Sequence, residues 1–253
     1  MRTEPRRTRI VLRVQHQASK RLEQFTISTI RGYVPSFYRY SQLKNLHKKF
    51  NWDNERERAK FLRQFSTLVV NWNGRFPNLR DIFRKEEIDR LLAESVKSDD
   101  KAILSDAIIE FVINTGYEDE PDMDEDGKLV SRRTTAIHYA DKFDCFMAAF
   151  KLFKIYNRFD VNYSDESGYT HFHAACEAGL DEFVEKFLEH GHDPNCLVTE
   201  TGDSPLHLTP AASFIIMKKK IVQKLLESGA NPNLVNKDGL TPLHVLCKTP
   251  RKL

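Results

Sequence analysis

Apolar side chains along this chain fall into short stretches with helical spacing, separated by polar or glycine-bearing segments. Phe61, Leu62, Phe65, Leu68, Val69 and Trp72 share one face of a helix, with Asp53 or Asn54 as its cap and Asn73-Gly74 as its stop. Ile88, Leu91, Leu92 and Val96 mark a second helix, and Ile103, Leu104, Ile108, Phe111 and Val112 a third, closed by Gly116. Only a few polar residues around Ser98-Asp99-Asp100 join these two, so they are expected to pack antiparallel. Further along, Leu180, Phe183, Val184, Phe187 and Leu188 form another stripe between Gly179 and Gly191.

The second half of the chain repeats itself. Thr135-Ala136-Ile137-His138, Thr170-His171-Phe172-His173, Ser204-Pro205-Leu206-His207 and Thr241-Pro242-Leu243-His244 begin 35, 34 and 37 residues apart. No single helix or strand imposes such a period, which marks one supersecondary unit in tandem. A common ending follows the second stripe of each unit: Asp193-Pro194-Asn195, Gly229-Ala230-Asn231-Pro232-Asn233 and, more loosely, Phe159-Asp160-Val161-Asn162.

These segments resemble ankyrin repeats, whose unit is a β-hairpin followed by two antiparallel helices and whose mark is Thr-Pro-Leu-His followed by small residues such as Ala174-Ala175-Cys176. The resemblance implies an all-α ankyrin-repeat solenoid: a basic, disordered arm over 1–45, an amino-terminal helical cap over 46–127, and repeats at 128–164, 165–197, 198–235 and, incomplete, 236–253. In that family Thr135, His138, Thr170, His173, Ser204, His207, Thr241 and His244 would be structural, each histidine buttressing its turn. The interval from Gly127 to Thr135 is long, so the first hairpin is expected to be an extended, mobile finger, and Pro210 is expected to distort the third unit. From about 45 to 127, notably at Phe76-Pro77-Asn78-Leu79-Arg80-Asp81-Ile82-Phe83-Arg84 and Asn114-Thr115-Gly116-Tyr117, the chain also resembles the amino-terminal block of large insect (hymenopteran-type) ankyrin-repeat families.

The function implied is protein binding without catalysis, by a monomer with no cofactor and no small-molecule substrate. Contact candidates at tip and variable first-helix positions are Glu166, Tyr169, His171, Glu177, Thr201, Asp203, Lys237 and Leu240. An asparagine-hydroxylating oxygenase acts on some ankyrin hairpins, and the matching positions are Asn162, Asn195 and Asn233. The alternatives are substrate recognition within a ubiquitin ligase and association with nucleic acid or anionic membrane through the arm.

Charge keeps the last alternative open. Residues 1–49 carry twelve Arg or Lys against Glu4 and Glu23, within a chain of net charge +3, so the remainder is acidic. The arm reads as a solvated tail, an anion-binding segment or a mitochondrial presequence. Four cysteines without a Cys-x-x-Cys pair, and no apolar signal core, point to an intracellular setting, cytoplasmic ahead of nuclear. Asp122, Asp124, Asp126, Gly127 and Leu129 open like a calcium loop, but Arg133 stands where the bidentate glutamate belongs. His171, His173, Cys176, His190 and His192 suggest zinc only until the repeat accounts for His173 and Cys176. Neither a GxxxxGK[ST] nor a GxGxxG phosphate loop occurs.

Overall fold

The computed structural model describes residues 36–70, 72, 74–97, 101–142, 146–209 and 215–248. The readings placed on residues 1–35, Asn73, Ser98-Asp99-Asp100, Cys145 and the stretch opening at Pro210 lie outside them. Eleven α-helices occur among the described residues: α1 (Ser36–Lys49), α2 (Glu55–Val70), α3 (Lys85–Lys97), α4 (Lys101–Asn114), α5 (Ala136–Lys142), α6 (Phe146–Leu152), α7 (His171–Glu177), α8 (Asp181–Glu189), α9 (Pro205–Leu208), α10 (Ile215–Glu227) and α11 (Pro242–Lys248). None is long and apolar enough to cross a membrane.

Helices stack in two rows. In the inner row α3 packs on α5, α5 on α7, α7 on α9 and α9 on α11. In the outer row α4 packs on α6 and α8 on α10, while Phe150 and Phe153 of the α6 region meet Phe183 of α8. Lysines bridge two outer joints, Lys151 to Asp106 and Glu110, and Lys220 and Lys224 to Asp181 and Glu185. The pair α3–α4 therefore occupies the place of a repeat, one unit ahead of the first Thr-x-x-His segment. It carries no such segment because Glu87 does the capping: the main-chain N–H of Arg84 donates to Glu87 Oε2 at 2.9 Å, and His47 Nε2 approaches the same oxygen at 3.1 Å. Ahead of this pair, α1 packs on α2 and α2 on α4, around the aromatic cluster Trp52, Phe61, Phe65 and Phe83.

The reading of 1–45 as a disordered arm runs too far. Ser36–Lys49 is helical and Leu43 is fully buried. The basic residues of this helix hide a short apolar stripe that Leu43 and Leu46 anchor against the core.

Fingers project from the inner row and pair edge to edge. The N–H of Ser164 donates to the Ser131 carbonyl at 2.8 Å, Arg133 to Ser164 at 3.0 Å, Glu200 to Ser167 at 3.0 Å and Lys237 to Thr201 at 2.9 Å. Three turns are wound on one acceptor: Asp124, Asp165 and Asn236 each accept main-chain N–H groups two and four residues on, and Gly127, Gly168 and Gly239 close them at positive φ. The first finger is the long one expected, with an antiparallel bridge between Met123 and Leu129.

Gly168 is the tightest of these joints. At φ +80° a Cβ there would stand 2.3 Å from Thr199 Oγ1 and 2.8 Å from Thr199 N, whereas Gly127, at φ +74°, has open space. Both Gly→Ala variants pay about 1–2 kcal/mol for left-handed backbone. Gly168→Ala must also push the third finger away, so thermal denaturation is expected to show it clearly less stable than Gly127→Ala. Equal melting temperatures would contradict the close approach.

Candidate functional site

The four repeat histidines build the frame. Each accepts a main-chain N–H on Nδ1 from the residue three before it: Thr135 to His138 at 3.0 Å, Thr170 to His173 at 3.2 Å, Ser204 to His207 at 3.1 Å and Thr241 to His244 at 3.2 Å. Since Nδ1 accepts, the neutral ring carries its proton on Nε2. His173 sends that proton to the Cys196 carbonyl at 3.1 Å and His207 to that of Leu240 at 3.0 Å, so each ring ties the start of one helix to the chain entering the next unit.

Burial holds the rings of His138, His171 and His173 neutral. Desolvation lowers the pKa of His173 to about 4, and lowers those of His138 and His171 as well. The folded state thus binds protons less readily than the unfolded chain. Their stability is present above the unfolded value near 6.5 and is lost as pH falls toward the folded value. Denaturant titrations between pH 6.5 and 4 should lose about 1.4 kcal/mol per pH unit from His173, with His138 and His171 adding loss in the same direction. A flat profile across that window would show the rings exposed.

A buried ionic clasp joins the helical block to the first two fingers. Arg133 donates to Asp119 at 2.5 Å and lies 3.4 Å from Asp89, its guanidinium 4.4 Å from the Tyr163 ring centre. The Tyr163 hydroxyl donates to Asp119 at 2.6 Å and the Tyr156 hydroxyl to Asp89 at 2.9 Å. Burial pushes the Asp89 carboxyl and the Tyr156 and Tyr163 phenols upward. The residue at the twelfth place of the calcium-like loop is thus the hub of this clasp, while Asp124 is spent on its own turn. Of the zinc-like set, His190 Nδ1 meets the Lys186 carbonyl, His192 Nε2 meets that of Phe159, and burial holds the Cys176 thiol up.

Between the second and third fingers lies a groove of about 770 Å³. Glu166, Tyr169, Thr201 and Asp203 of the expected contact set line it. Glu166, Thr201 and Lys237 are exposed at tips, and Lys237 adjoins Thr201 through its rung. Tyr169 is half-buried and donates to Glu177 at 2.8 Å, Asp203 accepts from Asn236 at 2.8 Å, and Leu240 is half-buried. His171 is a correction: it is 1% exposed, with Nε2 2.6 Å from Thr135 Oγ1, so it is a core contact between units and no partner reaches it. Glu200, Lys142 and His138 line the groove without having been singled out as contacts. Glu200 was legible, since it holds the tip position that Glu166 holds one unit earlier.

The hairpin asparagines differ. Asn162 accepts from Phe172 N, and Asn195 both donates to the Gly229 carbonyl and accepts from Asn231 N. Asn233 is exposed.

Residues 155–208 match the family model for ankyrin repeats in many copies, and residues 201–237 match that for the single ankyrin repeat. The chain is similar to human BCL-6 corepressor-like protein 1, 33% identical over 84 residues that cover 33% of this chain and 4% of that protein. It is similar to human Rabankyrin-5, 34% identical over 94 residues, 34% of this chain and 8% of that protein. A third relative, the probable 26S proteasome regulatory subunit p28 of Saccharomyces cerevisiae, is 29% identical over 123 residues, 48% of this chain and 50% of that protein. The chain thus spans half or less of each of these three relatives. Ankyrin repeats imply a protein–protein interaction role and are generally non-catalytic.

Proposed function

We propose that this all-α ankyrin-repeat solenoid is a scaffold or adaptor that holds another protein on its finger tips and in the groove between the second and third fingers, with no catalytic step. The observation that carries the reading is a contrast within the fingers. Their main chains are pinned by rungs from one to the next, while Glu166, Thr201 and Lys237 stand exposed on that fixed frame. A main chain already fixed leaves no loop to be ordered on binding, so only the tip side chains lose freedom. Affinity capture with the full chain and with a Glu166→Ala/Lys237→Ala variant tests this. A specific partner should be retained by the parent and lost by the variant at unchanged melting temperature; retention by both would move the interface elsewhere.

A second reading is substrate recognition within a ubiquitin ligase; the yeast relative named as a probable proteasome regulatory subunit shares the repeats and names no ligase. Co-purification of ligase subunits with the full chain would support it, and their absence from a capture that retains the partner would dispose of it. The arm, eight Arg or Lys against two Glu in residues 1–35, supports association with nucleic acid or anionic membrane, which salt-dependent retention on DNA or anionic vesicles would reveal. Asn233, exposed where Asn162 and Asn195 are tied, is where we place asparagine hydroxylation, to be read by mass spectrometry of cell-derived protein.

A further inference from the structure

We infer that the apolar groove between the end of α2 and α4 is the docking site for this chain's own residues 25–34, whose apolar side chains meet its aromatic floor while Arg31 meets its acidic wall. The inference is independent of the protein-binding reading. It concerns the arm, and it leaves residues 1–24 to project from that end of the helical block.

The groove holds about 450 Å³ between the end of α2, the connection that follows it and one face of α4, and no other described element contributes a wall. Trp72, Phe76 and Phe111 make its floor, with ring centres 5.0 to 6.4 Å apart. Val70 stands 56% exposed on the rim and Phe76 is half-buried. An apolar segment that displaces water from such a floor lowers the free energy of both surfaces. The α4 wall is acidic. Asp106 and Glu110 line it and share one cation, Lys151, so one carboxylate charge is left uncompensated.

Chain continuity names the occupant. Residue 35 adjoins the first residue of α1, and Arg39 of that helix donates to the Leu68 carbonyl at 3.3 Å, next to Val69 and Val70 of the groove. Residues 25–34 thus begin within a few residues of the groove, and ten residues reach up to about 33 Å, enough to cross it. Their composition fits. They carry Phe25, Ile27, Ile30, Tyr33 and Val34 and a single charge, Arg31, whereas residues 1–24 hold the other seven Arg or Lys of the arm and both its Glu. The stretch adjoining α1 therefore matches the floor in apolar surface, and Arg31 matches the uncompensated carboxylate. Ile10, Val11 and Leu12, set between Arg9 and Arg13 and farther from α1, are a competing occupant, and a second copy of the chain is another.

Photo-cross-linking of the full chain tests this, with p-benzoylphenylalanine at position 27 in one sample and at position 11 in another. The probe at 27 should join residues 69–76 or 106–114 of the same chain, and the probe at 11 should not. Val70→Lys should cut that yield at least about tenfold, the melting temperature being kept, because a charge replaces apolar surface at the rim. Val235→Lys, also at an exposed valine but on the last finger, should leave the yield unchanged, and Arg31→Glu should lower it. Hydrogen exchange on the unsubstituted chain gives a measure free of the probe: amides 27–34 should exchange at least about tenfold slower than in a free peptide, and Val70→Lys should release them. Links between two chains would put a second copy in the groove, links from position 11 would put the other segment there, and free exchange of amides 27–34 would leave the groove open. Each of these overturns the inference, as does a yield that Val70→Lys does not change.

Discussion

Arg133→Met is expected to cost about 3–5 kcal/mol, the penalty for removing one partner of a buried ion pair and leaving the other without a counter-charge. Asp119 has no side-chain exposure and Asp89 little, and both face the same guanidinium. The methionine fills much of the volume, so the loss is electrostatic rather than a cavity. Two measurements separate these. Adding Asp119→Asn to the variant should recover part of the loss, because the stranded charge is gone. The difference between Arg133→Met and the parent should also shrink as pH is lowered: burial already raises the folded pKa of Asp89 and loss of the guanidinium raises it further, so protonation relieves the stranded charge at low pH and the deficit returns as pH rises through that raised value. A deficit independent of both pH and Asp119 would mean that the clasp is packing alone.

Phe187→Ala should cost a similar 3–5 kcal/mol, through a cavity. The ring is 1% exposed and meets Phe153, Phe159 and Phe172 at centroid distances of 6.1, 5.2 and 5.6 Å. Phe153 and Phe159 close the preceding unit, so truncation weakens a joint and not only a helix. A fall in melting temperature of roughly 10 °C is expected for a chain of this size. An unchanged melting temperature would contradict the register of α8 against its neighbour.

The repeat units were legible because their signals are local. Thr170 and His173 cap one helix from three residues apart, the stripe from Leu180 to Leu188 needs no knowledge of its neighbour, and an Asp or Asn with a Gly three residues on writes the turn. The α3–α4 unit was read as a cap because its buttress is Glu87 and not histidine, the same hydrogen bond made by another side chain. His171 misled because its position in the unit is commonly variable and exposed; here Thr135, 36 residues away, covers it. The clasp was out of reach for the same reason. Asp89, Asp119 and Arg133 belong to a helix, a connection and a finger, and nothing in their spacing announces that three charges will share one buried volume.

The rungs between fingers also decide how the stack comes apart. Each finger joint at the tip hangs on one or two main-chain hydrogen bonds, through the amides of Ser164, Glu200 and Lys237, and each of these lies one unit from the next. Such an array frays tooth by tooth from an end, so these amides trade their hydrogens with solvent at separate rates, each reporting its own joint. A ligand lying across two fingers holds one tooth shut. Its arrival would therefore be heard as slowed exchange at Glu200, in a protein whose average shape has not changed.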